Sequence, residues 1–160
     1  MEVGPIRNEE RDELRRLFVR RWGSERMVSR GRLHEPLRYP ILVARHRGRL
    51  VGALSYEIRD DEMQAVTVDA FARGLGAGGA LLDAAADEAR RRGCGRLWLI
   101  TTNDNTPALR FYQRHGMSLV ALHRGALAES RRLKPEIPAV GLDGIPLTDE
   151  LELELRFGAH

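Results

Sequence analysis

The 160-residue chain has a single cysteine, Cys94, and a single lysine, Lys134. A lone thiol between Gly93 and Gly95 has no partner for an internal disulfide, so the chain holds no cystine framework and a reducing compartment is expected. No stretch approaches the ~18 consecutive apolar residues that span a bilayer. The start, Met1-Glu2-Val3-Gly4-Pro5, lacks the apolar core of a signal peptide. The expectation is a cytoplasmic protein with no membrane partner. Histidines are sparse as well: His34, His46, His115, His123 and His160 show neither paired helical spacing nor cysteine neighbours, which argues against a metal site. What remains, 42% hydrophobic, suits one domain over 1–160 with a core that needs no staples.

Charge is unevenly placed. Residues 1–50 carry 13 arginines against 7 acids, and the remainder 13 basic against 16 acidic residues, for a net charge of +3. An N-terminal basic excess would suit an acidic partner. Yet Arg11, Arg15, Arg16, Arg20 and Arg21 alternate with Glu9, Glu10, Asp12 and Glu13, the pattern of a solvated helix face. Nucleic acid is therefore not an expected partner.

Periodicity supplies the element order. Leu14, Leu17, Phe18 and Trp22 recur at helical spacing behind Asn8, an N-cap candidate, and predict a helix over 9–22. Residues 23–38 are polar, with room for a second short helix. Apolar runs at 41–44 and 50–58 around Arg47-Gly48-Arg49 predict a hairpin, and 62–68 a third strand. A helix with Leu81, Leu82, Ala85 and Ala89 on one side closes at Gly93. A buried strand follows at 96–102, then a short helix from Thr106 to Gly116 with Pro107 in its first turn. Strands are predicted at 119–122 and at the end, where Leu151, Leu153, Leu155 and Phe157 alternate with Glu150, Glu152, Glu154 and Arg156. The prolines 135, 138 and 146 mark a long loop. The result is an α/β (α+β) mixed sheet with helices on its faces.

The most telling segment is the glycine-rich turn Arg73-Gly74-Leu75-Gly76-Ala77-Gly78-Gly79 between the third strand and its helix. Glycine in a helix is disfavoured by about 1 kcal/mol relative to Ala, so several at a helix start suggest close approach to the backbone. An anion held by free N–H groups and the helix dipole is the expected occupant.

With Val66-Thr67-Val68 before that turn and Asn105-x-x-Ala108-x-x-Phe111-Tyr112-x-x-x-Gly116-Met117 after it, the chain resembles the GNAT superfamily of N-acetyltransferases. Trp22-Gly23-Ser24-Glu25 and Gly144-Ile145-Pro146 resemble a bacterial subgroup of it. The resemblance implies one domain with a mixed, mostly antiparallel sheet and a splayed central strand pair. It implies acetyl-CoA as acyl donor and no metal. The acetyl group would pass directly, in a ternary complex, to an amine of a small molecule or peptide.

Residue by residue, the resemblance places Arg73, Gly74, Gly76, Ala77, Gly78 and Gly79 around the pyrophosphate. It places the amide of Val66 or Val68 on the thioester carbonyl, Asn105 on the cofactor, and Tyr112 beside the departing thiolate. Because a phenol of pKa about 10 gives its proton uphill to a thiol of about 8.5, hydrogen bonding to the thiolate is the expected role. Glu62 resembles the glutamate some members use as base; Glu57 or a water is the alternative. Deprotonating an alkylamine at pH 7 costs about 4.6 kcal/mol, which is why a base matters. Gly79 departs from the basic or polar residue usual there, and Met117 from an aromatic.

Two other readings start from the same residues. Gly74, Gly76 and Gly79 also fit a dinucleotide fingerprint, but Leu99 stands where that motif wants a ribose-binding acid. A non-catalytic acyl-CoA sensor would use the same turn. The resemblance implies that the first helices and the late loop, here Trp22, Arg30, Arg32, His34 and 133–149, shape the acceptor site, and the alternating last strand leaves a homodimer open.

Overall fold

The structure, a computed structural model, describes residues 1–158; His160 lies outside the described residues. In chain order the elements are β1 (Glu2–Pro5), α1 (Arg11–Trp22), β2 (Met27–Ser29), β3 (Arg32–His34), β4 (Ile41–His46), β5 (Arg49–Arg59) and β6 (Glu62–Ala70). They continue with α2 (Ala77–Arg91), β7 (Arg96–Thr102), α3 (Thr106–Arg114), β8 (Ser118–His123), α4 (Ala126–Leu133) and β9 (Glu150–Arg156). Seven strands form one sheet in the order β1-β4-β5-β6-β7-β9-β8, and β2 and β3 form a separate hairpin.

Three two-residue turns set the strand registers. Arg30-Gly31, Arg47-Gly48 and Asp60-Asp61 all have positive φ at both positions. That is the twist-matched geometry that joins antiparallel strands tightly. Every neighbouring pair in the large sheet is antiparallel except β6 and β7.

That parallel pair runs only from Glu62–Ala65 against Arg96–Leu99. Beyond it the two strands part, because β6 carries a bulge: Ser55 pairs with Thr67 and Tyr56 with Ala65, leaving Val66 without a partner on β5. An extra residue bends its strand and increases local twist. A slot therefore opens between the last residues of β6 and those of β7.

Both faces are covered. Met63 and Ala65 of β6, Leu97 and Leu99 of β7 and Leu54 and Tyr56 of β5 pack with Leu81, Leu82, Ala85 and Ala89 of α2 and with Tyr112 of α3. On the opposite face Leu14 and Phe18 of α1 meet Ile41, Val43, Leu50 and Ala53. Gln64 and Glu57 point to this second face, where the β2–β3 hairpin meets them through Ser29 and Arg32.

Several expectations change. Asn8 does not cap α1; it opens a short 3-10 turn at Asn8–Glu10, and the backbone N–H of Arg7 donates to Glu10 Oε1 at 2.9 Å. The polar stretch 23–38 holds a hairpin besides a short 3-10 helix at Pro36–Arg38, and α4, ahead of the proline-marked loop, was not expected. The final strand has no wet glutamate face. Glu150 and Glu154 are buried, the first accepting from the Arg30 backbone at 3.2 Å and the second from Arg96 at 2.9 Å. Nor can β9 pair across a dimer, since β7 and β8 already flank it.

Candidate active site

A cavity of about 1240 Å³ opens beside the last residues of β6. Its walls bring together the glycine turn, Val68 and Asp69 of β6, Asn105, Phe111, Tyr112 and His115 around α3, and Arg21 and Trp22 at the end of α1. Of the expected residues, Val68, Arg73, Gly74, Gly76, Ala77, Gly78, Gly79, Asn105 and Tyr112 line it. Val66 is buried at the bulge and does not.

The turn presents bare amides. Gly74 and Gly76 take positive φ, 79° and 71°, and Gly76 is the N-cap of α2 with no side chain capping the first turn. Among the described residues the N–H groups of Ala77, Gly78 and Gly79 find no acceptor, and the first satisfied amide is that of Ala80, on Gly76 O at 3.1 Å. Three free amides and the dipole of a 15-residue helix face the cavity, with the exposed Arg73 beside them. This donor set fits a diphosphate.

Gly78 and Gly79 have another cause than the one expected from sequence. A Cβ on Gly78 would stand 3.0 Å from Phe111 Cζ, and one on Gly79 only 2.5 Å from His115 Nε2. Both glycines let α3 lie against the start of α2, which places Tyr112 at the cavity. Gly79→Ala should therefore destabilise the protein by about 1–3 kcal/mol, the usual cost of overpacking. In the His115→Ala background the penalty should largely vanish; a double-mutant cycle of unfolding free energies reads the coupling.

Asn105 and Tyr112 differ in freedom. Asn105 caps α3, its Oδ1 accepting from Ala108 N at 3.2 Å, so only its NH₂ group remains for a ligand. Tyr112 is 9% exposed, with its ring edge-on to Phe111 at 5.6 Å. Burial pushes its phenol above the ordinary value, and the charge of Asp69 adds to the shift.

Asp69 was missed by sequence reasoning, since only the arrival of α1 buries it. Its Oδ1 forms an ion pair with Arg21 Nε at 2.9 Å, while Oδ2 is buried without a hydrogen-bond partner. Burial raises its pKa from 3.8 to about 6, against the lowering effects of the Arg21 charge and of the Trp22 indole N–H beside it. A shift of this size corresponds to about 3 kcal/mol in favour of the neutral form. Because the folded value is the higher one, this stability is fully present below pH 3.8 and is lost as pH rises through 6.

Glu62 and Glu57 lie elsewhere. They line a second cavity of about 280 Å³ under the β2–β3 hairpin, with Arg30, Arg32, His34 and Gln64. Glu62 pairs with Arg96 at 3.1 Å, and Glu57 accepts from both terminal nitrogens of Arg32 at 3.1 Å. His34 bridges Ser29 Oγ, 3.1 Å, and Tyr39 Oη, 2.8 Å; burial pushes its pKa down and Arg32 adds to the effect. This cavity and Tyr112 do not share a wall. Among the described residues no group of three His, Cys, Asp or Glu could hold a metal, and no helix is long and apolar enough to cross a membrane.

A parallel strand pair that parts at a bulge, with a bare helix start beside the cavity, defines an α/β domain whose free amides fit a diphosphate-bearing ligand. The chain belongs to the acetyltransferase (GNAT) family, whose model matches residues 7–117, and so to the acyltransferase enzymes. It is similar to the protein YxbD of Bacillus subtilis (strain 168), 34% identical over 156 residues that cover 96% of this chain and 97% of that one. Its fold is similar to that of a Bacillus subtilis acetyltransferase solved in complex with CoA, with TM-score 0.68, 19% identity, and 98% and 97% of the two chains covered. A GNAT family acetyltransferase from Elizabethkingia anophelis with acetyl-CoA bound gives TM-score 0.70 at 14% identity, covering 98% of this chain and 97% of that one.

Proposed function

We propose that the chain, acting as a single domain, transfers an acetyl group from acetyl-CoA directly to an amine, with both substrates bound together. The observation that carries this is the set of unsatisfied amides at Ala77, Gly78 and Gly79, opening on the same cavity as Tyr112. Two of the similar structures hold CoA or acetyl-CoA, which supports the same donor here.

The turn from Arg73 to Gly79 would hold the diphosphate and the free NH₂ of Asn105 a polar group further along. The N–H of Val68 would hold the thioester carbonyl, with the bulged Val66 as the alternative donor. Acetyl-CoA supplies an activated acyl group at its thioester carbon. Tyr112, its proton held tightly by burial, donates a hydrogen bond where the thiolate charge develops. Glu62, ion-paired with Arg96 and in the second cavity rather than beside Tyr112, fits an electrostatic role better than proton removal.

Calorimetry with acetyl-CoA, NADH and a DNA duplex, followed by thiol release with a panel of primary amines, tests the proposal. Selective binding of acetyl-CoA with amine-dependent thiol release is expected. Tighter binding of NADH, or acetyl-CoA binding with no release by any amine, would contradict transfer.

A further inference from the structure

We propose that Asp69 receives the ammonium group of the acceptor in the main cavity and takes its first proton. The inference rests on the acetyl-transfer function proposed above and adds to it the missing base.

A buried carboxylate oxygen without a partner is rare, because desolvation without a hydrogen bond is costly. The Asp69 side chain is only 7% exposed, yet Arg21 engages Oδ1 alone and Oδ2 is left free in a residue that lines the cavity. An N–H donor arriving from the cavity would complete it. Beside it stands Trp22, stacked on Phe18 with ring centroids 4.2 Å apart, an aromatic wall suited to a cation. Val68, the residue before Asp69, lines the same cavity, and so does Tyr112. Neither glutamate of the second cavity shares these walls, and arginines occupy both.

The protons balance. One N–H proton of the acceptor ammonium passes to Asp69 Oδ2. The nitrogen lone pair so freed closes on the thioester carbonyl carbon while the carbon–sulfur bond breaks. The second surplus N–H proton goes to the departing sulfur, which Tyr112 Oη holds by a hydrogen bond, and Asp69 returns its own proton to water. An alkylamine is neutral in only about one molecule in 2,500 at pH 7, so the base is needed there.

The charged and titratable groups that share the cavity with Asp69 are Arg21 from α1, Arg73 from the turn, Asp83 from α2, and Tyr112 and His115 from α3. Arg21 and the indole N–H of Trp22 favour the anion and burial opposes it, leaving a base that titrates near pH 6. It is active above that pH and lost below it.

The test is Asp69→Asn in the full-length protein, with two readouts. Thiol release from acetyl-CoA with spermidine, tyramine and lysine ethyl ester as probes should fall about 100-fold or more at pH 7. The wild-type kcat should level off above pH 7, while that of the variant climbs about tenfold per pH unit as free amine accumulates. Independently of any acceptor, the thermal midpoint of the variant should exceed that of the wild type by about 5 °C or more at pH 8 and match it at pH 4. A variant with wild-type kcat and pH profile overturns the proposal. So does a variant destabilised at pH 8, which would make Asp69 a structural anchor for Arg21. Failure of the transfer function itself is visible separately, in wild-type protein that neither binds acetyl-CoA nor releases thiol.

Discussion

Tyr112→Phe is expected to lower kcat by about 30- to 150-fold while the dissociation constant for acetyl-CoA stays within about twofold. The substitution removes one hydroxyl and keeps the ring that packs on Phe111 in the core under α2 and α3. A hydrogen bond to a charged group contributes about 2–3 kcal/mol where water is excluded, and that range sets the size of the effect. The bond forms only as charge collects on sulfur, so binding of the donor does not report it. Since burial holds the phenol proton more tightly than usual, the loss should be independent of pH from 6 to 9. Steady-state kinetics paired with calorimetry read the two quantities separately. Equal kcat in the two proteins would remove Tyr112 from the reaction.

Gly76→Val should weaken acetyl-CoA binding by about 100-fold or more. Gly76 sits at φ 71°, a left-handed conformation that a β-branched residue adopts only at a cost of roughly 1–2 kcal/mol. The turn would relax to relieve that strain, turning the amides of Ala77, Gly78 and Gly79 away from a common focus. Each charge-assisted hydrogen bond lost contributes about 1.5–3 kcal/mol, so two suffice. The body of α2 is held by Leu81, Leu82, Ala85 and Ala89 in the core and should persist. Calorimetry gives the affinity, and unchanged circular dichroism shows that the helix remains. Undiminished affinity would mean that the diphosphate lies elsewhere.

Much of this arrangement was legible because it rests on local chemistry. The glycine turn, the hairpin at Arg47-Gly48, the α2 face with its stop at Gly93, and the α3 start at Pro107 are each written within a few neighbouring residues. What stayed hidden depends on partners distant in sequence. β1 is four residues ending in Pro5 and exists because β4 offers it an edge. β2 and β3 are three residues each, too short for a periodic signal, although Arg30-Gly31 was a usable turn cue. The alternation in β9 read as one wet face, but Arg96 and Arg30 reach across and bury the glutamates as ion partners.

The site divides along the same line. The turn was recognisable by its glycines and Tyr112 by the family resemblance, whereas the reason for Gly78 and Gly79 lies in Phe111 and His115, thirty-odd residues away. Glu62 stood at a suggestive place on its strand, and Arg96 from β7 took its carboxylate. Asp69 reads as an ordinary strand-end acid until α1 covers it. Burial, not residue type, makes it chemically distinct.

The claim on which the rest depends is that the first amides of α2 hold the diphosphate of acetyl-CoA. The most direct measurement follows the backbone ¹H–¹⁵N signals of the full-length protein as acetyl-CoA is added. The largest downfield proton shifts are predicted at Ala77, Gly78 and Gly79, with smaller changes at Arg73 and Gly74. If acetyl-CoA binds while those three signals stay in place and the major shifts fall around the β2–β3 cavity, the claim is contradicted.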